Sequence, residues 1–141
     1  MSRTTTFHNP PELCATHGWT HVVASSGGRT IHVSGQVGID SAGKVVAVGD
    51  LRRQTEQALE NVRLALAAAG ATFRHVVNTR LYVVGLKPEH VPIIREVRSR
   101  FVDPVRPPAS TLVGVTALVG PEWLIEIEAT AVVSDAASVG G

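Results

Sequence analysis

The segment WLIEIEATAVV at residues 123–133 constrains the fold more than any other stretch, because it alternates like a strand and carries apolar residues on both sides. In a strand, successive side chains point to opposite faces of a sheet. The first row is wholly apolar: Trp123, Ile125, Ile127, Ala129, Ala131 and Val133. The second row is mixed: Leu124, Glu126, Glu128, Thr130 and Val132. We therefore expect a sheet that is fully covered on one face and partly covered on the other.

The stretch between Asp50 and Gly70 predicts a long amphipathic helix. Asp50 is a favoured N-cap residue, and Gly70 suits the left-handed position that follows many helix ends. One face collects side chains at helical spacing: Leu51, Thr55, Ala58, Leu59, Val62, Leu66 and Ala69. The charged residues fall largely on the opposite face, so we expect this helix to pack against the sheet.

Runs of β-branched residues predict the remaining strands. In the first half of the chain they lie at about residues 20–25 and 29–37, as a hairpin, and at 44–49. In the second half they lie at 74–84 and 110–115. Pro92 suits the first turn of a second helix. The apolar stripe of that helix is Ile93, Ile94, Val97 and Phe101.

The predicted order of elements is β-β-β-α-β-α-β-β. It corresponds to an α/β (α+β) fold with a single mixed β-sheet and two helices on one face. Both helices are one-sided, so they cover only one face of the sheet. The other face also carries apolar side chains, and we expect it to be buried against another copy of the chain in a homo-oligomer.

The chain has 141 residues, which fits one domain. We expect that domain to span residues 1–133, with an irregular arm at 1–18 and a flexible tail at 134–141. No signal-peptide pattern or apolar run of membrane-spanning length is present, which favours a cytoplasmic protein without a membrane partner. The formal net charge is +1 without any block of like charges, so nucleic acid is not an expected partner.

No motif predicts a metal, a cofactor or an activated nucleophile. The six histidines are scattered and form no HExxH pattern. Cys14 is the only cysteine, which excludes an intrachain disulfide and a cysteine-based metal site, and no histidine is paired with it. Ser110 lacks the G-x-S-x-G elbow of a serine nucleophile, and no base can be assigned to it.

Two short patterns carry open alternatives. Ser34, Gly35 and Gln36 end a strand, where the glycine allows a ligand to approach the backbone, although a strand-end bulge explains it equally well. Glu126 and Glu128 share one face of the last strand. They are either solvated residues of an alternating strand, or one of them is an acid/base in a cleft between subunits.

Four blocks resemble the RidA/YjgF family in order and spacing: GRTIHVSGQVGID, QTEQALENVRLALAAAGATFRHVVNTRLYVV, PPASTLV and LIEIEATAVV. These reactive-intermediate deaminases were formerly described as L-PSP endoribonucleases and translation inhibitors. The resemblance implies a chorismate-mutase-like fold assembled as a homotrimer, with small-molecule clefts between subunits. It also implies hydrolysis of a 2-imino or enamine acid to a 2-keto acid and ammonia, without a cofactor.

The resemblance assigns several residues of this chain to the cleft. Ser34, Gly35 and Gln36 match the block that lines it, and Glu126 matches the carboxylate that positions the attacking water. The family commonly carries a cleft tyrosine near the N-terminus. At that place this chain has three other residues: Trp19, Thr20 and His21.

Ser110 is the main departure from the family pattern, because active imine deaminases have an arginine there, in P-A-R-S. A guanidinium holds a carboxylate through two charge-assisted hydrogen bonds, whereas a serine offers one neutral donor. Arg80, Arg98 and Arg106 are the basic residues considered as replacements.

Three functions are compatible with these features. The first is a hydrolytic deaminase that acts on a small imine, enamine or related metabolite but differs from the usual 2-imino acid deaminases. The second is a non-catalytic trimeric module that binds a small molecule or regulates a partner. The third, a ribonuclease, is disfavoured by the near-neutral charge and the lack of a basic or aromatic stripe.

Overall fold

A computed structural model describes residues 2–135 of the chain. Its helices and strands are β1 (Thr4–His8), β2 (Val22–Ser26), β3 (Arg29–Val37), α1 (Leu51–Ala68), β4 (Val76–Val84), α2 (His90–Arg98), β5 (Ala109–Val115) and β6 (Ile125–Val133). A short 3-10 turn at Phe73–His75 precedes β4. Neither α1 nor α2, the helices of the described part of the chain, is long and apolar enough to cross a membrane.

The main sheet has four strands in the order β3-β6-β4-β5. Strand β6 is antiparallel to both of its neighbours, and β5 is parallel to β4, so the sheet is mixed. Both helices pack on the face formed by the wholly apolar row of β6, where Leu59 and Val62 of α1 and Ile94 and Val97 of α2 enter the core. The predicted α+β fold class is confirmed.

Helix α1 follows the prediction closely because both of its ends are set by local residues. The Asp50 carboxylate accepts a hydrogen bond from the Arg53 amide at 3.0 Å, as an N-cap does. At the other end Gly70 has a φ of +78°, the left-handed conformation that favours glycine. The buried face of the helix includes Ala58 and Leu66, which are both fully buried.

The N-terminal segment differs from the prediction in three ways. The arm at residues 1–18 is not irregular throughout, because it contains β1, which pairs antiparallel with β2. Strand β2 does not form a hairpin with β3, which pairs with β6 instead. As a result β1 and β2 form a separate two-stranded sheet, so the prediction of a single sheet was wrong. The difference lies in long-range pairing: the chain turns at Gly27 and Gly28, whose φ values are +70° and +80°, but β2 takes β1 as its partner and β3 takes β6.

Residues 44–49 do not form the predicted strand and make only one isolated bridge, between Ile39 and Val45. Asp40 explains the difference, because its carboxylate accepts hydrogen bonds from the Ala42 and Lys44 amides and closes a tight turn. The backbone is therefore committed to a loop before α1 begins. Residues 136–141 of the predicted tail lie outside the described residues.

The second face of the main sheet is covered by neither helix and is mainly polar. Cross-strand pairs place side chains of β3, β4 and β6 together on it. Its residues are Thr30, His32, Arg80, Tyr82, Glu126 and Glu128. We call this the open face. Its burial against another copy of the chain stays a prediction.

Candidate functional site

Glu126 lies on the open face against a β-bulge in β3. The pairing of β3 with β6 shifts register between Val33 and Gln36, so the bulge reading of the Ser34–Gln36 pattern applies. A Cβ atom built on Gly35 would lie 2.6 Å from Glu126 Oε2, which is too close for a non-bonded contact. Glycine has no Cβ atom and therefore avoids this clash. The absence of a side chain at Gly35 therefore lets the Glu126 carboxylate lie directly against the backbone of the bulge.

The other polar groups around Glu126 differ in their hydrogen bonds. Ser34 is exposed, and the Gln36 side-chain amide donates to the Ser34 carbonyl at 3.2 Å. Tyr82 lies beside Glu126 across the β4–β6 pair and donates its hydroxyl hydrogen to Glu128. That hydrogen bond, with burial and the charge of Glu128, raises the pKa of Tyr82.

Glu126 itself has no hydrogen-bonding or ionic partner among residues 2–135. Its neighbour Glu128 is held by Tyr82 and stands directly opposite Arg80. Of the two carboxylates that share this face, Glu126 is the one with neither oxygen atom hydrogen-bonded among residues 2–135, whereas Glu128 Oε1 accepts from Tyr82. It is half-buried, which leaves it accessible to water and to a small ligand.

Ser110 lies on the helix-covered side of the same sheet, opposite to the open face. Its partner in the parallel β4–β5 pair is Thr79, which is buried, and Thr79 Oγ1 donates to Ser110 Oγ at 3.0 Å. Ser110 lines a cavity of about 240 Å³ between β5 and α2. Apolar side chains of β4, β5 and α2 form much of its wall, and the other lining residues are His17, Trp19, Arg95 and Arg98. We call it the α2 cavity.

The loop that precedes β2 supplies Trp19 to this cavity and is fastened by Thr20. Thr20 is buried, its hydroxyl donates to the Pro107 carbonyl at 2.5 Å, and its amide donates to the Pro108 carbonyl at 3.1 Å. The hydroxyl of Thr20 is thus engaged with the chain itself. His21 is not among the residues that line the α2 cavity; its ring stands edge-on to Trp19 at 4.7 Å and donates to the Cys14 carbonyl at 2.7 Å.

Arg98 is the buried charged residue of the α2 cavity, with 7% of its surface exposed. Its Nη1 donates to the Gly18 carbonyl, whereas Nε and Nη2 are buried without a hydrogen-bond partner. Burial, together with the charge of Arg95, lowers the pKa of Arg98 to about 10, so it remains protonated at neutral pH.

The other two candidate arginines lie elsewhere. Arg80 is exposed on the open face opposite Glu128, and Arg106 lines a separate cavity near Arg3 and Asp103. The spacing in the sequence distinguishes Arg98 from the other two arginines. Arg98 follows Ile94 by four positions, so the two residues share the buried face of α2.

The structure thus divides the predicted site residues into two groups. Glu126 and the Ser34–Gln36 bulge belong to the open face, and Ser110 and Trp19 belong to the α2 cavity. Because the sheet lies between the groups, one chain alone cannot present both to the same small ligand. Within the described part of the chain, no three histidine, cysteine or carboxylate side chains are grouped so as to hold a metal ion.

Comparison with known proteins gives consistent matches over most of the chain. A family described as Endoribonuclease L-PSP matches residues 10–133. A solved structure of a Rid-family protein of unknown function, YyfB from Yersinia pestis, superposes with a TM-score of 0.87 at 39% identity, covering 94% of this chain and 100% of that chain.

Two relatives are named for their activities. The 3-aminoacrylate deaminase RutC of Acinetobacter baylyi is 32% identical over 122 residues, 86% of this chain and 90% of that protein. A 2-iminobutanoate/2-iminopropanoate deaminase of Dermatophagoides farinae is 29% identical over 106 residues, 75% of this chain and 80% of that protein.

Proposed function

The chain belongs to the RidA/YjgF family, and on that premise we propose that it is a hydrolase that converts a small imine or enamine into a carbonyl compound and ammonia. The relatives named as deaminases act on 2-imino acids and on 3-aminoacrylate, which share this chemistry. In this proposal the enzyme needs no cofactor and acts in the cytoplasm. It differs from the usual 2-imino acid deaminases at Ser110.

The observation that carries this proposal is the free carboxylate of Glu126 against the Gly35 bulge. A carboxylate in that position can orient a water molecule and accept its proton as the water oxygen bonds to the imine carbon. The nitrogen takes up a proton to give a carbinolamine. A further proton transfer to the nitrogen, balanced by loss of the hydroxyl proton, lets the C–N bond break, ammonia leave and the carbonyl form. An enamine enters this sequence after a proton moves from its nitrogen to its β-carbon, which gives the imine.

The proposed site is a cleft between subunits of a homotrimer. Glu126 and the α2 cavity lie on opposite sides of one sheet, so they meet at a single ligand only if they come from different chains. The uncovered open face supports this arrangement, because association would bury it. Sedimentation velocity tests the assembly, and a single chain at micromolar concentration would contradict it.

Imine hydrolysis is tested with an L-amino-acid oxidase that generates the imine and semicarbazide that traps what remains. We expect the wild-type protein to accelerate disappearance of the imine. Glu126→Gln should lower that rate by roughly 10²-fold or more, because the proton acceptor is lost. Glu122→Gln is the matched control, since Glu122 is exposed and, among residues 2–135, only its backbone carbonyl makes a hydrogen bond. Equal rates for wild type and Glu126→Gln would contradict the proposal.

The second candidate is a non-catalytic trimeric module that binds a small molecule. Ser110 favours it, because the resemblance to the family's imine deaminases implies a substrate-holding arginine at this position, and this chain has a serine. This function predicts no acceleration of imine loss in the same assay. It also predicts that a ligand-bound structure shows a small molecule in the cleft.

A further inference from the structure

Arg98 is a buried cation for which the described chain supplies no counterion. The residues that line the cavities around its guanidinium include Arg95 and His17 but neither an aspartate nor a glutamate. A buried charge without a partner is strongly unfavourable, and buried polar groups in native proteins are almost always satisfied. Such a group is expected where a ligand of opposite charge completes the site.

The free edge of the guanidinium indicates the shape of that ligand. Nη1 is anchored to the Gly18 carbonyl, and the two unpartnered atoms, Nε and Nη2, form the adjacent edge of the fork. Two parallel N–H donors on one edge match the two oxygen atoms of a carboxylate. Nε and Nη2 have almost no accessible surface in the ligand-free protein, so binding must also move the side chains that cover this edge.

Ser110 complements this arrangement. Its Oγ accepts the hydrogen bond from Thr79, so its own hydroxyl hydrogen is free for a second acceptor in the α2 cavity. The volume of about 240 Å³ is below the range of drug-sized pockets and fits a small metabolite. An arginine at position 110 would bring a second guanidinium toward Arg98, and repulsion between the two would weaken the site.

We propose that Arg98 of α2 binds the carboxylate of a small organic acid in the α2 cavity, in place of the arginine that the family carries at the position of Ser110. The identification of that acid as an imino acid or its keto-acid product rests on the proposed function. The binding itself does not, because it needs only the cavity and the free guanidinium edge.

Titration with pyruvate tests the binding directly, with pyruvamide as the neutral isostere. We expect isothermal titration calorimetry to detect pyruvate but not pyruvamide. Arg98→Met should weaken pyruvate binding at least tenfold. Arg63→Met, which removes an exposed arginine of α1 paired with Glu60, is the control and should leave the affinity unchanged.

A relocated arginine provides a second test that does not depend on loss of binding alone. In the double variant Arg98→Ala, Ser110→Arg, we expect pyruvate affinity to recover relative to Arg98→Ala. Circular dichroism establishes that each variant is folded. Pyruvate binding within twofold of wild type in folded Arg98→Met, or equal binding of pyruvamide, would overturn the inference.

The two proposals fail separately. Arg98-dependent pyruvate binding without imine hydrolysis would refute the enzyme and retain this site. Imine hydrolysis that is lost in Glu126→Gln, combined with pyruvate binding unaffected by Arg98→Met, would retain the enzyme and refute this site.

Discussion

Helices α1 and α2 each bury one large polar side chain, and the two are treated in opposite ways. Gln54 of α1 is fully buried; its amide nitrogen donates to the Ala47 and Glu122 carbonyls, and its oxygen accepts from the Leu124 amide. Arg98 of α2 is nearly as buried but leaves Nε and Nη2 without partners. The first side chain joins a loop, a helix and the approach to β6, whereas the second faces a cavity.

The contrast separates a structural polar group from a ligand-binding one. Satisfying a buried amide completely stabilises the fold and leaves nothing for a ligand. Leaving a buried cation half-satisfied destabilises the free protein, and such a cost is common at functional sites. The buried polar side chain of α1 is thus fully hydrogen-bonded within one chain. The buried cation of α2 has no anionic partner among the described residues.

Gln54→Leu should produce the largest loss of stability. Three partly buried backbone groups would lose their partners, each at about 1 kcal/mol, so we expect the unfolding free energy to fall by about 3 kcal/mol. Urea denaturation measures it. Gln57→Leu, one turn along α1 with a single side-chain bond to Asn61, is the control and should change stability by less than about 1 kcal/mol. Similar losses of unfolding free energy in both variants would contradict the structural role that we assign to Gln54.

Gly35→Ala should affect activity rather than stability. The new Cβ would meet the Glu126 carboxylate at 2.6 Å and displace it, and a displacement of about 1 Å lowers catalytic rates by roughly 10²-fold. The semicarbazide assay measures the rate. For Gly43→Ala, where no atom lies within 4 Å of the added Cβ, we expect strain at its positive φ but unchanged turnover. Full activity in Gly35→Ala would show that the position of Glu126 is unimportant.

Arg98→Met should move stability in the direction opposite to Gln54→Leu. Two unpartnered N–H groups and a buried charge are replaced by an apolar chain, which outweighs the loss of the Gly18 hydrogen bond. We expect the unfolding free energy of the ligand-free protein to rise by about 1–2 kcal/mol. Thermal unfolding without added carboxylate measures it. A fall in stability would indicate that Arg98 is retained for structure, as Gln54 is.

Thr20→Val tests the fastening of the loop that carries Gly18 and Trp19. The substitution keeps the shape of the side chain and removes its bond to the Pro107 carbonyl, so we expect a loss of about 1 kcal/mol. Thr116→Val, at an exposed threonine, should stay within about 0.5 kcal/mol in the same urea titration. If the two variants lose the same unfolding free energy, the hydrogen bond of the Thr20 hydroxyl does not stabilise this loop.

The two helices also differ in how far the sequence alone predicts them. Helix α1 was predicted with its ends because Asp50 and Gly70 act locally. In α2 the apolar stripe was predicted, but the absence of a carboxylate near Arg98 depends on residues distant in sequence. Strand β1 was missed for a similar reason, because its polar residues become a strand only by pairing with β2.

The separation of Glu126 from Ser110 likewise depends on long-range pairing. Alternation within β6 predicts which residues share a face, and Glu126 was assigned to the mixed row on that basis. The face of Ser110 depends on its parallel alignment with Thr79 of β4, which no local pattern specifies. The sequence therefore identified both residues but not the sheet that lies between them.

The claim that the site needs two chains is tested most directly by mixing inactive subunits. Glu126→Gln and Arg98→Met chains with different affinity tags are co-expressed, doubly tagged trimers are purified, and imine hydrolysis is measured. If Arg98 of one chain works with Glu126 of the partner subunit, one of the three sites in every doubly tagged trimer has both native residues, and about a third of the wild-type rate is restored. Mixed trimers no more active than the average of the two variants would contradict the account.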